Sequence, residues 1–102
     1  MTFNELSNFT KQVIKLLDDE SYAQLQIELY HRPEMGKLIK GSKGLRKVRW
    51  AAKGRGKSGG ARVIYYWWVE NELITFCDIY SKNEKEDLTS HDIQKLNEEL
   101  ES

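Results

Sequence analysis

The chain has a single cysteine, two histidines and no long apolar run. Cys77 alone cannot form an internal disulfide, which fits a reducing compartment. Its apolar surroundings in sequence make it a small core residue rather than a nucleophile. His31 and His91 lie far apart, and Cys77 has no neighbour at ligand spacing, so metal catalysis is not expected and no cofactor is called for. The longest apolar run, residues 63–69, falls well short of the roughly 20 residues of a membrane helix. The first residues carry no basic stretch leading into an apolar one, so no secretory signal is expected. With 102 residues there is no room for a nucleotide-binding domain beside a substrate domain. The expectation is one domain over residues 1–102, cytoplasmic, with no membrane partner.

Acid is missing from the centre of the chain. Ten basic residues stand between Lys37 and Arg62, and no Asp or Glu interrupts them. The remaining six Lys/Arg and all sixteen Asp/Glu lie outside, so a net charge of zero is +10 in the centre and −10 elsewhere. Such segregation builds a strong local field and invites a polyanion.

Hydrophobic spacing divides the chain in three. Leu6, Phe9, Val13, Leu16 and Leu17 recur at helical intervals, as do Tyr22, Leu25 and Leu29. Thr2 with Glu5, and Ser21 with Gln24, offer capping boxes that would start two helices. The acids at 18–20 break the pattern between them. Pro33 ends the second helix near Arg32, and Gly36, Gly41 and Gly44 mark a loop. The two helices form a hairpin. The period then becomes two. Residues 45–51 read as a strand with Arg46, Val48 and Trp50 on one face and Lys47 and Arg49 on the other. Residues 62–69 read as a central strand buried on both faces. Residues 70–72 make a turn into a third strand, 73–80. Thr89, with Asp92 three residues on, caps a final acidic helix striped by Ile93, Leu96 and Leu100. The order is ααβββα, an α+β fold with an antiparallel sheet packed on the helical hairpin.

Two features in the basic centre bear on chemistry. Residues 51–58 fit a relaxed phosphate-loop pattern, but a phosphate loop must open a helix, and here Gly59, Gly60 and a strand follow. The segment serves instead either as a solvated loop or as a grip on a nucleic-acid backbone through Lys53, Arg55 and Lys57. Lys47 and Arg49 share a strand face, and Arg62 begins the neighbouring strand. Cations clustered on one face repel one another unless an anion joins them. The alternative is an exposed strand face with protective lysines. Trp67 and Trp68 point to opposite faces, and at least one belongs to the core.

Three blocks carry a family resemblance: Gly44-Leu45-Arg46-Lys47-Val48-Arg49-Trp50, the run 56–66 from Gly56-Lys57-Ser58 to Tyr65-Tyr66, and the run 79–89 through Tyr80, Lys82, Asn83, Lys85 and Thr89. In this order they resemble the RelE/HigB family of bacterial toxins, and most of all its HigB branch. The resemblance extends over nearly the whole chain, including the Pro33–Gly36 turn. It implies a RelE-like fold and the toxin of a type II toxin–antitoxin pair: a metal-independent endoribonuclease that cuts mRNA in the ribosomal A site. It implies the ribosome, mRNA and a helix-turn-helix, HigA-like antitoxin as partners. It places Arg62 as the phosphate-stabilising arginine, Lys47 and Arg49 as the paired basic positions, and Tyr80, Lys82 and Lys85 in the block facing the active site. RelE has an arginine where this chain aligns Asn83 and a tyrosine near Thr89; Lys82 or Lys85, and Tyr80, stand in their place. The histidine-based site of some HigB proteins has no counterpart. Lys43, Arg46, Lys53, Arg55 and Lys57 are the expected RNA-binding residues. The rival readings are a ParE-like gyrase inhibitor on the same fold and a noncatalytic RNA-binding module.

Overall fold

A computed structural model describes residues 1–52 and 60–102. Five strands form one sheet in the order β1-β5-β4-β3-β2, with helices on both faces: β1 (Thr2–Glu5), α1 (Ser7–Leu16), α2 (Asp19–His31), β2 (Lys37–Leu38), β3 (Arg46–Trp50), β4 (Ala61–Trp68), β5 (Leu73–Ser81) and α3 (Ser90–Glu101). The α+β class, the helical hairpin, the antiparallel β3-β4-β5 meander and the C-terminal helix are as expected. Two further strands extend the sheet.

The first of these corrects the reading of residues 2–5. They do not cap a helix; they form β1, parallel to β5, with Phe3 opposite Ile74 and Glu5 opposite Phe76. Leu6 N–H donates to Phe76 O at 2.9 Å, and Phe3 stacks on Phe76 at 5.8 Å. A cap contributes about 1 kcal/mol. Strand pairing satisfies several backbone groups at once and lays Phe3 on the core. Glu5 serves elsewhere, accepting from Thr10 Oγ1 at 2.6 Å and Tyr22 Oη at 2.5 Å. Helix α1 starts at Ser7 with no side-chain cap.

The cap of α2 is also corrected. Asp18, not Ser21, is the N-cap, and its carboxylate accepts from Ser21 N–H at 2.7 Å. The acids at 18–20 therefore begin the helix rather than break it, with Asp19 and Glu20 in the first turn where the dipole favours them. The helix stops at His31, before Pro33.

The two sheet faces bury different sets. Phe9 and Val13 of α1, Leu17, and Leu25 and Leu29 of α2 pack on Ala61, Val63 and Tyr65 of β4 and Ile74, Phe76 and Ile79 of β5. On the opposite face Ile64, Cys77 and Tyr80 meet Leu45 and Leu96 of α3. Trp67 packs partly against the first cluster. Trp68 lies beside Tyr66 on the other face and donates from Nε1 to Thr75 Oγ1 at 2.9 Å. The ladder slips at Cys77: Ile64 pairs with Asp78, but Tyr65 pairs with Phe76. Such a bulge turns an extra side chain to one face. It presents Asp78 and Tyr80 toward the α3 side.

The glycine-marked loop holds the short strand β2 and is fastened at two places. Tyr65 Oη donates to Pro33 O at 2.7 Å and accepts from Gly36 N–H at 2.8 Å. A Cβ on Gly36 would stand 2.7 Å from the Tyr65 ring, so only glycine fits there. Ser42 Oγ donates to Ile39 O at 2.6 Å and accepts from Leu45 N–H at 3.0 Å.

Candidate functional site

Strand alternation and register assemble the site. On β3, Lys47 and Arg49 point away from the helical hairpin. Arg49 pairs with Arg62 of β4, and Arg62 pairs with Tyr80 of β5, so the three form one row across the sheet on the α3 side. Lys47, Arg49, Arg62 and Lys82 line a cleft of about 250 Å³, joined by Glu86 and Asp87 from the segment before α3. Four cations face two carboxylates.

Arg62 is only 5 % exposed, and its Nη1 is buried with no hydrogen-bond partner among the described residues. A buried polar group left unpaired costs free energy unless an acceptor joins it. The Tyr80 hydroxyl, next in the row, is in the same condition. Burial, reinforced by Asp87 and Asp78, pushes the Tyr80 phenol up to about 12, so it keeps its proton at neutral pH and acts as a donor.

Asp87 is the local counter-charge. Lys47 Nζ donates to its Oδ1 at 2.5 Å. That hydrogen bond, with Lys47's charge and smaller effects of Arg62 and Arg49, holds the Asp87 carboxyl below its ordinary value. Asp87 and Glu86 are not among the residues expected from sequence, because nothing in their immediate pattern sets them apart from the other acids of the C-terminal segment. The signal was the Thr89–Asp92 cap. With Thr89 as N-cap, residues 86–87 must lie just outside the helix, beside the end of β5.

Other expected site residues lie elsewhere. Lys85 does not line the cationic cleft. Its Nζ stands 3.5 Å from Asp92, 3.9 Å from Asp78 and 4.9 Å from the centre of the Tyr80 ring. Asp78 ties this corner together, accepting from Asn8 Nδ2 at 3.2 Å and Ile79 N–H at 2.9 Å. Its burial raises the carboxyl above its ordinary value, against the opposing pull of Lys85 and the two hydrogen bonds. Arg46 points to the opposite face, as its strand position requires, and donates from Nη1 to the carbonyls of Glu34 and Gly36 at 3.0 and 2.8 Å. It fastens the turn instead of meeting the site. Lys43 is exposed in the loop before β3 with φ of 60°. Lys53, Arg55 and Lys57, and most of the phosphate-loop-like segment, lie outside the described residues; β4 begins at Ala61.

Cys77 is fully buried, and burial pushes its thiol up to about 12, which suits a core residue. Among the described residues no three His, Cys, Asp or Glu side chains group to hold a metal ion, and no helix is long and apolar enough to cross a membrane.

A five-stranded sheet flanked by a helical hairpin and a terminal helix, with a row of cations on the terminal-helix side, is an α+β arrangement among the described residues. The structure is similar to that of a double arginine-to-alanine variant of the E. coli toxin RelE in the free state, with a TM-score of 0.60 over 83 % of this chain and 86 % of that one. Sequence identity is 17 %, so the likeness is one of fold. No family model matches the sequence.

Proposed function

We propose that this chain is a toxin of the RelE type that cleaves RNA, acting on mRNA in the ribosomal A site as part of a type II toxin–antitoxin pair. The observation that carries the reading is the buried Arg62, whose Nη1 has no hydrogen-bond partner among the described residues, set between Arg49 and Tyr80 in the row of the cationic cleft. The fold shared with RelE supports the same reading.

In the proposed reaction the ribose 2′-oxygen attacks the adjacent phosphorus and the bond to the 5′-oxygen breaks. The products are a 2′,3′-cyclic phosphate and a 5′-hydroxyl. Charge accumulates on the phosphate oxygens as the new bond forms. Arg62, Arg49 and Lys47, already in place, stabilise that charge without reorganising. The Lys47–Asp87 pair holds both a proton donor and an acceptor inside the cleft, one for the departing 5′-oxygen and one for the 2′-hydroxyl. Lys82 adds charge at the rim, where it is exposed. Lys43, with Lys53, Arg55 and Lys57, supplies sequence-independent grip on RNA phosphates. The protein acts in the cytoplasm, and its antitoxin is a helix-turn-helix protein, HigA-like, whose toxin-binding segment is acidic.

Purified protein assayed side by side in reconstituted translation and in DNA gyrase supercoiling tests the reading. Translation inhibition that Arg62→Ala lowers by about 100- to 1,000-fold, with supercoiling unaffected, is expected. Gyrase inhibition with intact translation contradicts it and favours a ParE-like activity. Translation inhibition that survives Arg62→Ala favours RNA binding without cleavage.

A further inference from the structure

A second cleft, of about 340 Å³, adjoins the cationic one and shares Lys47 and Asp87 with it. Its character is different. Ile39, Leu88 and Ile93 give it apolar walls, and all three are partly buried against the cluster beneath α3. Tyr80 also lines it, 2 % exposed, with a hydroxyl that has no hydrogen-bond partner among the described residues. Lys40 and Ser90 stand exposed at its margin.

Each feature narrows the occupant. The size sits at the small end of ligand sites, which run from about 300 to 1,000 Å³. Apolar walls with one buried donor suit a flat, uncharged ring that has an acceptor at its edge. The shared wall places that ring beside an anion held by the neighbouring cations. Lys40 disfavours a cationic ligand and offers charge to a further phosphate. We propose that this second cleft binds the nucleobase next to the phosphate held by Arg49, Arg62 and Lys47, with the Tyr80 hydroxyl donating to a carbonyl oxygen or ring nitrogen of the base. Tyr80 is then a base-recognising residue rather than one that acts on the phosphate. The inference rests on the phosphate reading of the first cleft.

The test is titration of the full chain, followed by NMR, with inorganic phosphate and with each of the four nucleoside 3′-monophosphates. At least one nucleotide binds about tenfold more tightly than phosphate, and the four differ among themselves. Ser90→Trp, at an exposed position that fills the cleft without touching the core, removes that gain and leaves phosphate binding unchanged. Tyr80→Phe keeps phosphate binding and reduces the differences among the four bases. Equal binding of all four nucleotides and phosphate overturns the inference, as does a gain that survives both substitutions. The two readings fail separately. Phosphate that binds without any nucleotide gain sinks only the base cleft. Nucleotides that bind in a Ser90→Trp-sensitive way while phosphate does not bind sink only the phosphate cleft. Binding of neither sinks both.

Discussion

Arg62 and Asp87 are opposed in the same cleft. Arg62 Nη1 has no acceptor among the described residues, and Asp87 already occupies part of the field through Lys47. In the proposed reaction RNA phosphate competes with that carboxylate, which is also a proton acceptor bonded to Lys47. Asp87→Asn therefore has divided effects. RNA binds more tightly because a negative charge has gone, and the cleavage step slows by about 100-fold or more because the acceptor has gone. Single-turnover kinetics across RNA concentrations separate the two; tighter binding with an unchanged cleavage step denies Asp87 the proton-transfer role. Asp78 gives a pH prediction of definite sign. Its folded-state value is raised above 3.8, chiefly by burial, so the folded protein holds a proton that the unfolded chain releases. Stability falls as pH rises from 3.8 through that raised value, and the penalty is complete above it. Asp78→Asn, which keeps an acceptor for Asn8 and Ile79, unfolds at a higher temperature than wild type near neutral pH. The gap closes as pH falls toward 3.8. Thermal melts across pH check this, and a gap that widens on acidification contradicts it.

At the scale of elements, what was legible in the sequence was what local pattern decides. Strict alternation over β3 placed Lys47 and Arg49 on one face and Arg46 on the other. The Thr89–Asp92 capping box starts α3 as the spacing predicts, with both reciprocal hydrogen bonds formed. What was not legible depends on distant partners. Thr2 and Glu5 have the spacing of a cap, but the open edge of β5, some seventy residues on, takes them as a strand. β2 is two residues long and carries no period of its own. Arg46 and Lys85 are basic residues in the expected blocks, yet one serves the carbonyls of 34 and 36 and the other serves Asp78 and Asp92. Sequence shows that a residue is charged; only the packed structure shows which partner it has. The Pro33–Gly36 turn offers a test at this scale. Tyr65→Phe leaves Pro33 O and Gly36 N–H without their partner. The loss is about 2–3 kcal/mol of unfolding free energy, measured by urea denaturation. A variant as stable as wild type contradicts the fastening role.

The whole molecule separates two tasks by sheet face. One face is filled by α1 and α2 and carries most of the core. Among the described residues the other is covered by α3 over Ile64, Cys77 and Tyr80, and the cationic row lies on the same face. The charge segregation seen in the sequence thus becomes a surface: the basic centre supplies β3 and the start of β4, and the acidic C-terminal segment borders them. A protein of zero formal net charge still has a positive side able to draw in a polyanion. The proposed activity of this side is RNA cleavage. The most direct measurement is mapping of mRNA 5′ ends in a reconstituted translation system, with wild type, with Arg62→Ala and with a ribosome-free control. Cuts within A-site codons that require ribosomes and vanish in Arg62→Ala are expected. Intact mRNA in the presence of active wild-type protein would contradict it.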